Sequence, residues 1–195
     1  LREQSFNGYF QVESLTLRHR LFGGGWSPPL RREIFHRGDS VAILPWDPVI
    51  DELVLVEQFR VGALRAKESP WMLELIAGVV EPGESDIDVI HREVDEEAGC
   101  KVGRLKKIGT FYPSGGACSE QIRVFVGLVK GVQPGSIHGL ESEHEDILVH
   151  QLPRIEALAM LDRGEIKSGH TLLALHWLAR HGDRLREELQ SLADV

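Results

Sequence analysis

Residues 78–100 read GVVEPGESDIDVIHREVDEEAGC, from Gly78 to Cys100, and this stretch decides the fold. Ser85 suits a helix N-cap. Ile87, Ile90, Val94 and Ala98 recur at helical spacing as a buried stripe, and Gly99 suits the left-handed position just past a helix end. The pattern predicts a helix over 85–98. At ~100° per residue, Glu93 and Glu97 lie ~40° apart around its axis, with Glu96 ~60° to the other side. Three carboxylates therefore crowd one face, centred roughly 110° from the apolar stripe, beside the core rather than inside it.

Carboxylates at i, i+3 and i+4 repel, destabilising a helix by ~0.2–0.5 kcal/mol per pair, and a bound cation cancels that cost. Oxygen-only ligands select hard cations, so the pattern points to Mg2+, with Mn2+ as a substitute, rather than zinc. Taken alone, the same residues also describe a solvated acidic face, with Arg92 and Glu96 as an ordinary i, i+4 pair.

Outward from this helix, the chain reads as strands followed by helices. Alternation over 10–21, with Leu15, Leu17 and Leu21 against Thr16, Arg18 and Arg20, predicts a strand; Arg31–Phe35 is a short one, ended at Gly38-Asp39. Val41–Leu44 and Leu53–Arg60 form a hairpin through Pro45, Asp47 and Pro48. Met72–Ile76 is a further strand, and Pro82-Gly83 a turn. Ile122, Val124, Val126 and Leu128 alternate as a strand, and Ile147–Val149 continues the set. Pro153 opens a helix that Gly164 closes, and a last helix runs from about Thr171 with Leu172, Leu175 and Trp177. The expected fold is α/β (or α+β), a mixed sheet between helices, preceded by an antiparallel strand region over 1–36, with the main domain at 37–195.

The chain has 195 residues, 42% hydrophobic and 27% charged, enough for one domain with a sizeable core. No apolar run approaches the ~20 residues of a membrane helix. Arg2, Glu3, Glu13, Arg18 and Arg20 make the first twenty residues unlike a secretory signal. Two cysteines, Cys100 and Cys118, do not build a disulfide framework, and a cytoplasmic protein is expected. The formal net charge of −8 repels nucleic-acid backbones, so an anionic small molecule would need metal ions and placed arginines.

The full spacing separates the two readings of the acidic face. Gly78, Glu84, Arg92-Glu93-Val94, Glu96-Glu97 and Gly99-Cys100 satisfy every position of the Nudix hydrolase signature. With ordinary residue usage, a chance match is on the order of 10⁻⁹ to 10⁻¹⁰ per start position. The segment therefore resembles the Nudix family. That resemblance implies a metal held by Glu93, Glu96 and Glu97 with the backbone carbonyl of Ala77, glutamates oriented by Arg92, and water attacking phosphorus in a nucleoside diphosphate linked to another group.

Beyond the box, Arg31–Phe35, Val56–Arg60, Pro70–Gly78 and Gly139–Ile147 resemble the ADP-ribose pyrophosphatase subfamily in order and spacing. By that resemblance Arg60 contacts the substrate phosphates, for which a forked guanidinium is suited. Arg32 and Tyr9 sandwich the adenine, Glu143 is the general base, and Glu145 is a further metal ligand, with Glu141 a rival in the same acidic loop. The implied reaction turns ADP-ribose and water into AMP and ribose 5-phosphate. The alternatives are hydrolysis of other nucleotide sugars (GDP-mannose, UDP-glucose) or dinucleotides, and a non-catalytic ADP-ribose sensor. The subfamily proline some fifteen residues past the box is replaced by Gly115, within the Tyr112–Glu120 loop against which the terminal ribose is expected to lie. In the resembled family, the 1–36 region is exchanged within a homodimer, and the same is expected here.

Overall fold

The computed structural model describes residues 2–66 and 69–190. In chain order the elements are β1 (Arg2–Asn7), β2 (Gln11–Leu17), β3 (Leu30–His36), β4 (Ser40–Asp47), β5 (Glu52–Phe59), β6 (Trp71–Glu74), β7 (Ile76–Val79), α1 (Asp86–Ala98), β8 (Val102–Phe111), β9 (Ile122–Val129), β10 (Ile137–His138), β11 (Ile147–Pro153), α2 (Arg154–Asp162) and α3 (Gly169–Gln190). Short 3-10 segments lie at Val61–Ala66 and Glu141–Glu143. The chain divides into two compact units, Leu1–Ser40 with Thr110–Ile122, and Val41–Gly109 with Arg123–Val195.

In the first unit, β1, β2 and β3 form an antiparallel sheet in sequence order. The loop after β8 is laced to β3: Phe35 N–H donates to the Ala117 carbonyl at 2.7 Å, and Ser119 N–H to the Phe35 carbonyl at 3.1 Å. Ser40 Oγ donates to the buried Glu120 carboxylate at 2.6 Å. The alternation over 10–21 makes a strand that stops at Leu17, and Leu17 and Leu21 are exposed, with Ser14 its buried member. Leu17 stays 38% exposed, so its alternation marks a strand but not a core.

The second unit is built on the large sheet, ordered β10-β11-β5-β4-β9-β8, with β6 added to β5 and β7 to β4. The β4–β5 hairpin forms as expected, pairing Trp46 with Leu53. Both strands are buried without a break over Val41–Trp46 and Leu53–Val56. Successive strand residues face opposite ways, so unbroken burial means that both faces are covered. Val41, Ile43, Val54 and Val56 pack with Val89, Ile90, Val94 and Ala98 of α1. The alternate residues Ala42, Leu44, Leu53 and Leu55 are equally buried, as are Ala157, Leu161, Ala174, Leu175 and Leu178 of the paired helices α2 and α3.

Three expectations need correction. The strand over Met72–Ile76 is two strands, β6 and β7, because Leu75 N–H donates to Thr171 Oγ1 at 3.0 Å instead of extending a ladder. Pro153 ends β11 and caps α2, one position earlier than the first helical residue. Ile87 is not in the buried stripe of α1: it lies in the first turn, 51% exposed, whereas Val89 is fully buried. Replacing Ile87 by Val89 turns the centre of the buried face toward the carboxylates, by about 25° as a vector sum at ~100° per residue.

Candidate metal and phosphate site

The helix α1 starts and stops where its caps require. Ser85 Oγ accepts from Asp88 N–H at 3.2 Å, and Gly99 takes φ 56° and returns its N–H to the Asp95 carbonyl at 2.9 Å. Arg123 of β9 bonds Asp86 at 2.8 Å, fixing the first turn against the sheet. Those constraints set the rotation of the helix, and the rotation carries Glu97 into the protein. Its side chain is among the buried residues of α1, with the residue only 3% exposed. The expectation that the carboxylates sit beside the core holds for Glu93 and Glu96, not for Glu97.

Each of the three carboxylates is held differently. Arg92 Nη1 donates to Glu93 Oε1 at 2.7 Å and to Glu96 Oε2 at 3.2 Å, and its Nη2 lies 3.6 Å from Glu84. Arg92 thus ties together four box residues, itself included. Glu97 Oε2 accepts from Ala77 N–H at 3.3 Å, and its Oε1 lies 3.5 Å from Gln58 Nε2. The Ala77 backbone therefore lies against the cluster. Among the described residues no three His, Cys, Asp or Glu side chains already converge as a cage; Arg92, Gln58 and Ala77 hold the glutamates in this geometry.

Burial pushes the Glu97 carboxyl up to about 8, helped by the negative charges of Glu93 and Glu145, and Ala77 N–H and Arg60 offset this only in part. Burial likewise raises Glu93 to about 7, with Glu96 and Glu145 adding to the shift against Arg92. Glu93, Glu96, Glu97 and Glu145 thus belong to one field of mutually repelling carboxylates. An all-oxygen donor set with excess negative charge fits a hard divalent cation.

Glu145 reaches this field from the acidic loop. That loop is pinned to the end of α1 by Gly139 N–H donating to the Glu96 carbonyl at 3.1 Å. Within it, Leu140 N–H donates to Glu145 Oε2 at 3.0 Å. Glu141 and Glu143 are exposed on the 3-10 turn, and His144 closes that turn in the left-handed conformation.

Arg60, at the end of β5, donates from Nε to Glu74 Oε2 at 2.7 Å. Its charge acts on Glu97, so Arg60 and the carboxylates share one site. Tyr9 and Arg32 belong to the other unit; Tyr9 is 91% exposed and edge-on to Phe10, and Arg32 is exposed. Gln58 and Glu74 were not singled out in the sequence, although both lie inside stretches that were. The available signal was the β5 alternation, which puts Gln58 and Arg60 on one face while Gln58 interrupts an apolar strand.

Known proteins resemble this chain in sequence and in fold. A family model described as the NUDIX domain matches residues 36–173. The chain is 44% identical over 187 residues to a protein of Escherichia coli K12 named ADP-ribose pyrophosphatase, covering 96% of this chain and 90% of that one. The Haemophilus influenzae protein of the same name is 40% identical, covering 96% and 88%. A GDP-mannose pyrophosphatase of Citrobacter koseri is 36% identical over 76% of this chain and 77% of its own length. A solved structure titled as an ADP compounds hydrolase superposes with a TM-score of 0.66 at 23% identity, over 93% and 94% of the two chains, and shows the fold in common.

Proposed function

This chain belongs to the NUDIX family, and from that premise we propose that it hydrolyses ADP-ribose to AMP and ribose 5-phosphate with the help of a divalent cation, Mg2+ or Mn2+. The observation that carries the chemistry is Glu97, a buried carboxylate in the field of Glu93 and Glu145. The substrate assignment rests on the two ADP-ribose pyrophosphatases, which match nearly the whole chain, where the GDP-mannose pyrophosphatase matches three quarters.

Glu93, Glu96, Glu97 and Glu145, with the Ala77 carbonyl, would hold the cation. Bound there, it would neutralise phosphate oxygens and lower the pKa of water. Arg92 keeps Glu93 and Glu96 aligned. Arg60 pairs oxygens of the pyrophosphate, orienting it for displacement. One P–O bond forms to water and the P–O bond to the departing phosphate breaks, while Glu143 takes the proton that water loses. Exposure of Glu143 on a loop suits a base that acts once substrate is seated.

Tyr9 and Arg32 are the adenine contacts, and exchange of the 1–36 region within a homodimer delivers them. Support for self-association comes from exposed apolar side chains in each unit, Phe22 and Trp26 in the first and Phe59 and Trp71 in the second. Cys100 and Cys118 are free thiols, in keeping with a reducing compartment and a cytoplasmic protein. Among the described residues no helix is long and apolar enough to cross a membrane.

The deciding experiment measures kcat/KM for ADP-ribose, GDP-mannose and UDP-glucose with Mg2+, alongside light scattering. ADP-ribose should lead, with a dimer in solution. A higher kcat/KM for GDP-mannose or UDP-glucose would transfer the substrate assignment, and a fully active monomer would remove the exchange of residues 1–36.

A further inference from the structure

Glu74 is 4% exposed, one of the few charged side chains buried among the described residues. It ends β6, where it pairs with Val56 of β5. The like-facing positions further along are Gln58 in β5 and Arg60, one residue past its end. A buried carboxylate is costly unless a cation and hydrogen bonds compensate it. Here the compensation is Arg60, whose Nε donates at 2.7 Å. The Arg60 backbone is pinned too, its N–H donating to the Pro70 carbonyl at 2.8 Å and its carbonyl accepting from Ala63 N–H at 2.9 Å.

This geometry divides the guanidinium. Among the described residues Glu74 holds the guanidinium through Nε, and the Arg60 side chain remains 42% exposed. A guanidinium carries five N–H donors in a rigid plane, four of them on the terminal nitrogens. With Nε held, that terminal fork is available to two phosphate oxygens at once. An arginine tethered in this way also loses less rotamer freedom when it binds.

We propose that Glu74 is a positioning residue for the reaction, holding Arg60 by Nε so that its terminal nitrogens are presented, already ordered, to the pyrophosphate of the substrate. The proposal rests on the assignment of Arg60 to the substrate phosphates. It differs from a purely structural ion pair in a definite way: a structural pair governs folding, whereas a positioning pair governs affinity for the pyrophosphate through Arg60.

The test combines steady-state kinetics on ADP-ribose with Mg2+, calorimetric binding of ADP, and melting curves for the wild type, Glu74→Gln, Arg60→Ala and the double variant. Glu74→Gln should raise KM about tenfold while kcat stays within about threefold of wild type. In the Arg60→Ala background the same substitution should add nothing, because the group it positions is gone. An unchanged KM in folded Glu74→Gln overturns the proposal, as does an equal KM increase in the Arg60→Ala background. Should Glu74→Gln fail to fold, Arg60→Lys decides: lysine cannot serve Glu74 and fork two oxygens together, so a wild-type KM in Arg60→Lys overturns the proposal and a raised one upholds it. ADP binding separates this result from the substrate assignment. A wild type without ADP-ribose turnover removes that assignment, while a tenfold loss of ADP affinity in Glu74→Gln still upholds positioning; a wild type that binds no ADP overturns both.

Discussion

The carboxylate of Glu93 occupies the space that a side chain at residue 78 would need: a Cβ placed on Gly78 falls onto Oε1, Cδ and Cγ of Glu93. The first glycine of the box is therefore explained by close approach, fifteen residues ahead of the glutamate it accommodates.

Gly78→Ala should displace Glu93 without unfolding the protein, since the atoms it meets are the far end of a flexible side chain. We expect kcat to fall at least ~10-fold, about 1.4 kcal/mol in the barrier, with the melting temperature within a few degrees of wild type. Steady-state kinetics with a thermal melt checks this, and wild-type kcat at saturating Mg2+ would show that the position of Glu93 does not matter.

Glu97→Gln keeps shape and removes the carboxylate that would face the cation. Turnover should fall at least ~10²-fold, about 2.7 kcal/mol. Stability should respond in the opposite sense. The folded carboxyl is raised from an ordinary 4.5 to about 8, so the folded state binds the proton more tightly and metal-free stability falls as pH rises from 4.5 to 8. The Gln variant lacks that titration, so in chelator its melting temperature should decline less between pH 5 and 8.5 than that of wild type. Parallel curves for the two proteins would refute the assignment of a buried, proton-holding Glu97.

The acidic loop separates base from ligand. Glu143, exposed, should behave as the base: Glu143→Gln lowers kcat with little change in substrate affinity. Glu145, whose charge acts on Glu93 and Glu97, should as Gln also raise the Mg2+ concentration needed for half-maximal rate. If Glu141→Gln is the most damaging of the three, the base lies two residues earlier.

Gly115 bears on substrate choice. Ala117 N–H donates to the Ser114 carbonyl at 3.0 Å, closing a turn in which Gly115 is the second residue. Its φ lies outside the left-handed region, and proline favours that position. Gly115→Pro should therefore raise stability by about 0.4–1 kcal/mol through the unfolded state. A stiffer Tyr112–Glu120 loop should sharpen the preference for ADP-ribose over other ADP-sugars, read as a ratio of kcat/KM values. A lowered melting temperature would mean that the turn does not accept a fixed φ.

Local pattern alone determined a good deal of this protein. The α1 caps, the β4–β5 hairpin, the strand around Val124 and the crowding of Glu93, Glu96 and Glu97 all follow from neighbours a few residues apart, because caps, turns and periodicity are local physics. Tertiary structure decided the rest. Val89 rather than Ile87 faces the sheet, and that rotation buries Glu97; periodicity within α1 favours Ile87, which falls inside the arc of Ile90, Val94 and Ala98, so only packing against the sheet decides for Val89. β1, wholly exposed, falls within the strand region expected over 1–36, but only its pairing with β2 sets its bounds. Leu75 breaks its strand for Thr171, ninety-six residues away, and Gln58 reaches Glu97 across thirty-nine. Arg60 is likewise held by Glu74 from the neighbouring strand. Such partnerships depend on strand order and helix rotation, which arise only when both faces of the sheet are covered, so the residues that hold the site's charges in place emerge with the packed core.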